Sequence, residues 1–237
     1  TGDGCLMEGI SHEACSLAGT LGLGNLVILY DDNDISIDGN VEGWFTEDIP
    51  KRFESYGWEV IPNIDGHNFE EIDQAIIKAK SNNEKPTLIC CKTVIGKGSP
   101  NISGTAAAHG AILDPDEIDL TRKELNWPND PFDIPKEVYE DWDARNAGNQ
   151  KEEDWNKIFE EYASENPELS SELKRLIAGD LPDRIENSIY TFIEEVQKDL
   201  PKMATRVSSQ KVLNILGPLI PELLGGSADL TGSNNTN

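Results

Sequence analysis

An α/β fold, a mostly parallel sheet flanked by helices, is what this sequence predicts, and three observations carry the prediction. Apolar strand-like runs alternate with amphipathic helical stretches over the first half of the chain. The run over residues 26–30 is continuously apolar, as in a parallel strand buried on both faces. Loops rich in Gly, Asp and Asn follow those runs, where open α/β sheets place their ligands.

Residues 7–23 predict a helix with Ile10, Ala14, Leu17, Ala18 and Leu21 on one face. Residues 26–30 read as a buried strand, and residues 58–64 as a second. Residues 69–80 form an amphipathic helix, with Phe69, Ile72, Ile76 and Ala79 at helical spacing. Residues 86–95 are a third strand, ending in the loop Gly96-Lys97-Gly98-Ser99-Pro100. Beyond Pro115 charge density rises and strand patterns stop. Helices punctuated by Pro and Gly follow, one of them with Trp155, Ile158, Phe159 and Tyr162 on a single face. That pattern predicts a connector packed through its aromatics. Near Arg206 an α/β pattern resumes, with a helix over 208–216 and a short strand running into a turn over 222–230.

The expected organisation is residues 1–115 as the later part of one α/β domain, 116–201 as a helical connector, and 202–237 as the start of a second α/β domain. Gly2-Asp3-Gly4 stands where a strand should precede it, and the last residues lead onward. The fold is therefore expected to be incomplete at both ends, the chain being a fragment.

A length of 237 residues suits one large or two modest domains. No apolar run approaches the length that spans a bilayer, and no signal-peptide pattern opens the chain. Cys5, Cys15, Cys90 and Cys91 show neither a CxxC pair nor a disulfide-framework spacing, so free thiols in a reducing cytoplasm are expected. Forty-four acidic against 20 basic residues give a formal charge of −24. That balance argues against nucleic acid and against an anionic membrane surface, both of which need Lys and Arg. A phosphate-bearing ligand would have to be met locally, by backbone N–H groups, a metal, or a few Arg, Ser and His residues.

The Gly2-Asp3-Gly4 tripeptide and the later Tyr30-Asp31-Asp32-Asn33-Asp34-Ile35 run suit a divalent cation holding a diphosphate. Mg²⁺ takes octahedral oxygen ligands, few from protein and the rest from phosphate and water. Asp3 can supply a carboxylate, Asn33 an amide oxygen, and Ile35 a backbone carbonyl. Adjacent parallel strands would bring these tips together. Gly4 lets backbone N–H groups approach the diphosphate near a helix N-terminus.

The segment from Gly2 to Glu13 resembles transketolase, as does Tyr30 to Gly39. The similarity continues through Trp44-Phe45-Thr46, Gly57-Trp58, Asp65-Gly66-His67, Lys92-Thr93, Gly96 to Asn101, His109-Gly110-Ala111 and Gly225 to Leu230, and so covers nearly the whole chain. It implies a thiamine diphosphate-binding fold and the transfer of a two-carbon ketol group from a ketose phosphate to an aldose phosphate. It implies Asp3, Asn33 and the Ile35 carbonyl as ligands of Mg²⁺, Ca²⁺ or another divalent cation, with Gly4 and Asn33 also touching the diphosphate. His109 resembles the histidine that meets both cofactor and sugar, and is the expected catalytic residue. Arg206 and Ser233 resemble the grip on the sugar's terminal phosphate. Glu8 and Glu13 resemble acids of a homodimer interface that joins two active sites. Asp229 resembles a cofactor-side acid contributed by the partner subunit.

The glutamate with which the family activates the cofactor's pyrimidine would lie beyond Asn237, so the chain by itself is expected to be inactive. Ala106 to Ala108 and Lys97 depart from the family pattern. Deoxyxylulose phosphate synthase and 2-oxo acid dehydrogenase components share the cation arrangement, but the Gly225 to Leu230 segment and the His109 loop favour transketolase. A role only in binding or oligomerisation is the remaining alternative. His12-Glu13-Ala14-Cys15-Ser16 is not a zinc helix, because Ser16 stands where a second histidine is needed. Cys90 and Cys91 are adjacent on a strand and read as packing.

Overall fold

Where one helix is expected over 7–23, the chain makes two. The structure is a computed structural model that describes residues 1–110 and 112–236. Helix α1 (Asp3–Met7) ends at Glu8, whose extended backbone (φ −65°, ψ 135°) separates it from α2 (Gly9–Leu21). Left-handed Gly22 closes α2, the conformation glycine adopts without a Cβ penalty. The buried face of α2 carries Cys15 and Ala18, while Ile10, Leu17 and Leu21 are exposed. Close packing explains the difference. A Cβ added to Gly19 would lie 1.8 Å from the Tyr56 carbonyl oxygen, so only small residues fit that face. The Trp58 indole N–H also donates to the Cys15 carbonyl at 2.8 Å.

Strand β1 (Val27–Asp32) is followed by a tight hairpin of β2 (Ile35–Ser36) and β3 (Gly39–Asn40). Helix α3 (Ile49–Ser55), not anticipated from the pattern, has Pro50 in its first turn. The Asp48 side chain caps it, accepting from the Lys51 N–H at 3.1 Å. Strand β4 (Glu59–Asp65) leads to α4 (Phe69–Ser81), capped by the Asn68 side chain. Ala75 and Ala79 are the buried residues of α4, whereas Phe69, at its first position, is exposed.

Strand β5 (Thr87–Lys92) lies between its two neighbours in the order β1-β5-β4, parallel to both. Asp32 and Asp65 therefore both register with Lys92 at the carboxyl ends. Burial of β5 from Thr87 to Cys91 accounts for its unbroken apolar run. Leu88 and Cys90 face a core with Leu6, Tyr30, Phe53 and Trp58, while Ile89 and Cys91 face a second core with Ile61, Ala75 and Ala79. The adjacent cysteines thus serve opposite faces as free thiols, and burial pushes that of Cys90 up to about 12. Helix α5 (Pro115–Glu124) follows the long loop after β5.

The chain divides into two units, Thr1–Pro135 and Lys136–Asn237. The second is helical: α6 (Lys136–Trp142), α7 (Arg145–Glu165), α8 (Pro167–Ala178), α9 (Arg184–Asp199), α10 (Thr205–Leu216) and α11 (Thr231–Asn234). On α7 the Trp155 and Phe159 rings stack with centroids 6.0 Å apart, and the Lys174 ammonium sits 5.3 Å from the Phe159 centroid. Trp155 and Ile158 themselves stay exposed, so the aromatic face is less buried than expected.

The strand expected over 222–230 does not form. A strand needs a neighbour for its N–H and C=O groups, and the described residues of this unit contain no strand to offer one. Leu224 is accordingly 96% exposed. Among the described residues no helix is long and apolar enough to cross a membrane.

Candidate functional site

Three backbone contacts bring the first residues of the chain to the sheet. Gly2 forms a parallel bridge with Asp31, the Asp31 N–H donates to the Thr1 carbonyl at 2.7 Å, and the N-terminal ammonium donates to the Leu29 carbonyl at 2.9 Å. Asp3 therefore emerges beside the carboxyl end of β1, where Asp32 and Asn33 also stand. The side chain of Asp3 is buried, at 3% exposure. Its Oδ1 accepts the Tyr30 hydroxyl at 2.5 Å, while its Oδ2 is buried with no hydrogen-bond partner. Burial raises the Asp3 pKa, the Tyr30 hydrogen bond opposes that rise, and the charges of Asp32 and Asp34 add to it. The backbone of Asn33 also acts on this carboxylate, lowering its pKa, so the two expected ligands are neighbours.

The Asn33 amide is oriented by its own turn. Its Oδ1 accepts the Ile35 N–H at 3.0 Å, and its Nδ2 donates to Asp31 Oδ2 at 3.1 Å. A carbonyl oxygen has two lone pairs, so one remains for a cation. Ile35 is buried in β2, where it pairs with Asn40 of β3. Nothing in the chain lies within 4 Å of where a Cβ on Gly4 would stand, so internal packing does not demand that glycine. An orphaned buried carboxylate oxygen, a fixed amide oxygen and open space at Gly4 fit a hard cation carrying a phosphate group. Among the described residues no three His, Cys, Asp or Glu side chains gather as metal ligands. The expected set is of another kind, one carboxylate with an amide and a backbone carbonyl.

Two residues beside this site were not singled out by the sequence. Tyr30 reads there as the end of an apolar strand, though a buried tyrosine hydroxyl always needs a partner. Lys92 lies within the strand expected over 86–95 and, in the Lys92-Thr93 pair, carries only the resemblance, with no role assigned. Its Nζ lies 2.9 Å from Asp32 Oδ1 and 3.4 Å from Asp34 Oδ2, bridging the acids on either side of Asn33. Burial works against its charge, but those two carboxylates outweigh it and raise its pKa. Asp3, Tyr30, Asp32, Asp34, Glu47 and Lys92 are among the residues lining a cleft of about 180 Å³.

His109 is exposed and caps a 3₁₀ turn at Ala106–Ala108, where the sequence places it in an open loop of small residues. Left-handed Gly96, Gly104 and Gly110 shape that loop. A Cβ on Gly96 would meet the Ala108 Cβ at 2.8 Å, which explains the glycine at 96. Ala111, the end of the His109-Gly110-Ala111 motif, lies outside the described residues.

Glu117 of α5 ties down the base of the loop. It accepts from the Ser99 hydroxyl, from the Asn101 N–H at 3.1 Å and from Asn101 Nδ2 at 2.6 Å. These bonds, that from Ser99 first, hold its pKa below the usual glutamate value. A depressed folded-state pKa stabilises the tie above the unfolded value of 4.5, and that contribution is lost as pH falls through the folded value. Amide exchange at Asn101 should therefore accelerate as pH drops below about 4, after correction for intrinsic exchange rates. Glu117→Gln should flatten that response. A protection factor unchanged between about pH 6 and pH 3 would contradict the role.

In the second unit the Arg206 guanidinium donates to the Ser233 carbonyl at 3.2 Å, so the two expected phosphate-gripping residues do meet. Both are exposed. Asp229 is exposed in a left-handed turn (φ 56°) just before α11. Glu8 occupies the break between α1 and α2, and Glu13 is exposed on α2. His12 joins no metal site: its Nδ1 is 2.8 Å from the Tyr56 hydroxyl and its Nε2 3.1 Å from Arg52 Nη1. Because arginine only donates, His12 Nε2 accepts and Nδ1 carries the proton.

Residues 1–182 match the family profile described as the transketolase, thiamine diphosphate binding domain. Over 235 residues the chain is 56% identical to transketolase 2 of Vibrio vulnificus (strain CMCP6) and 54% identical to transketolase 2 of Escherichia coli (strain K12). These alignments cover 99% of this chain and 35% of each relative, so the chain spans about a third of their length. A Pichia stipitis transketolase solved in complex with sedoheptulose 7-phosphate superposes with a TM-score of 0.84 at 42% identity, over 100% of this chain and 35% of that one. Transketolase from Leishmania mexicana gives a TM-score of 0.84 at 33% identity, over 100% and 34%.

Proposed function

We infer the function from one premise: the chain belongs to the transketolase family, and its residues 1–182 are matched by that family's thiamine diphosphate-binding domain. In this reading Asp3, Asn33 and the Ile35 carbonyl hold Mg²⁺, Ca²⁺ or another divalent cation, which in turn holds the cofactor's diphosphate. The observation that carries it is the buried, unpartnered Oδ2 of Asp3 beside Asn33. The open face of Gly4 admits the phosphate oxygens. When bound, thiamine diphosphate supplies the nucleophile and electron sink for breaking a carbon–carbon bond next to a carbonyl.

The reaction we assign to the whole protein is transfer of a two-carbon ketol unit from a ketose phosphate to an aldose phosphate. Its Pichia stipitis relatives were solved with fructose 6-phosphate, sedoheptulose 7-phosphate and xylulose 5-phosphate. Exposed His109 is available to hydrogen bond or exchange a proton with substrate oxygens. Arg206, held by the Ser233 carbonyl, keeps further N–H donors for the terminal phosphate, and the Ser233 hydroxyl adds another. Glu8 and Glu13 would line a homodimer interface, with Asp229 lent to the partner's site. A surplus of acid speaks against nucleic acid or a membrane surface as partner. The free cysteines suit a reducing cytoplasm.

Titrating thiamine diphosphate into the protein with and without Mg²⁺ tests the site, and binding that ignores the cation would refute it. A donor–acceptor assay of the complete protein with xylulose 5-phosphate and an aldose phosphate tests the chemistry. There Arg206→Ala should raise KM for both sugar phosphates about 10-fold with little change in kcat, the signature of lost uniform binding. An unchanged KM would remove Arg206 from the substrate site.

A further inference from the structure

We propose that Tyr30 is the positioning residue of the cation site, fixing the Asp3 carboxylate so that one oxygen alone faces the metal. The inference rests on the reading of Asp3 as a cation ligand and adds what holds it in place. An aspartate cannot fix its own carboxylate plane, because its terminal torsion is broad and its two oxygens are equivalent. Here they are made unequal. Oδ1 accepts the Tyr30 hydroxyl at 2.5 Å, while Oδ2 is left buried without a donor.

Tyr30 is itself held by its ring and by its backbone. Its ring is buried at 3% exposure in the core that contains Leu6, Phe53, Trp58 and Leu88. Its backbone registers with Cys90 of β5. Three residues further along the same chain stands Asn33, so the strand that supplies the amide ligand also steers the carboxylate ligand. A hydroxyl merely in need of an acceptor would be served by any backbone carbonyl. This one goes to one oxygen of a carboxylate that the bridge between Gly2 and Asp31 delivers to the same strand end. Partners that orient a metal ligand from behind generally matter about 10- to 100-fold to metal affinity.

Tyr30→Phe removes the hydroxyl and keeps the ring. With Mn²⁺ as the probe, read by electron paramagnetic resonance in the presence of thiamine diphosphate, the variant should bind the cation about 10- to 100-fold more weakly. Its near-ultraviolet circular dichroism should stay that of the unsubstituted protein. Thermal unfolding without cation reports the purely structural share of the hydroxyl. A role confined to packing would lower that melting temperature and leave Mn²⁺ affinity in the folded protein unchanged, and this result would overturn the proposal. Asp3→Ala, run alongside, separates the two readings. If it too leaves Mn²⁺ affinity unchanged, the cation site itself is refuted; if it alone abolishes binding, only the positioning role is.

Discussion

Replacing Asp3 by Ala should abolish cation-dependent thiamine diphosphate binding, with an affinity loss greater than the roughly 10- to 100-fold typical of an outer partner. The side chain is buried, one of its oxygens has no donor, and its neighbours Asp32 and Asp34 are already engaged by Lys92. Neither Asp32 nor Asp34 is therefore free to take its place. Burial without a cation penalises the charged form of Asp3, and this cost is relieved when a divalent ion arrives. Removing the carboxylate lifts that cost but leaves the buried Tyr30 hydroxyl without its acceptor, and it should erase the effect of Mg²⁺ on the melting temperature. Isothermal titration with Mg²⁺ and the cofactor measures the first part, and thermal melts with and without both measure the second. Retained Mg²⁺-dependent affinity would count against the assignment.

Phe53→Ala should be the most damaging single change to the first unit, destabilising it by about 3–5 kcal/mol. The ring is 1% exposed and meets Trp58 edge-on, with centroids 5.1 Å apart, and Tyr56 at 5.7 Å. Truncation would open a cavity between α3 and the sheet that backbone atoms cannot close. A loss of that size is a large part of the roughly 5–15 kcal/mol that stabilises a typical domain. Urea denaturation followed by tryptophan fluorescence gives the shift in midpoint, and a change under about 1 kcal/mol would show that the core relaxes around the gap. Tyr30 belongs to the same core, so whatever remains folded should also bind the cation less well.

The sheet was legible because β5 is buried along nearly its whole length, which leaves a continuous apolar run in the chain. The helical character of residues 136–199 was legible for the opposite reason: strand patterns are missing and Pro and Gly mark helix ends. The break at Glu8 was not, since apolar periodicity records which residues recur and not where the backbone turns. Nor was the true buried face of α2. Gly19 there approaches the Tyr56 carbonyl, a contact between residues far apart in the chain that leaves no local trace. The expected strand over 222–230 failed because its residues include no β-branched or aromatic side chain and have no strand to pair with among the described residues of their unit. At the candidate site, Asp3, Asn33 and Ile35 were picked out by residue type and spacing, and the structure sets Asn33 beside the Asp3 carboxylate. Tyr30 touches the Asp3 carboxylate and Lys92 touches Asp32 and Asp34 on either side of Asn33, and residue type alone announces neither contact.

Gly96 and Ala108 have a consequence for how such chains diverge. A methyl group added at residue 96 would stand 2.8 Å from the Ala108 methyl, so the side chain at 108 depends on position 96 having none. Position 96 is also left-handed, a conformation that L side chains rarely adopt. A change to glycine at 108 would lift the first constraint and leave the second. Position 96 is therefore doubly locked, and a lineage can exchange it only by rebuilding the turn itself.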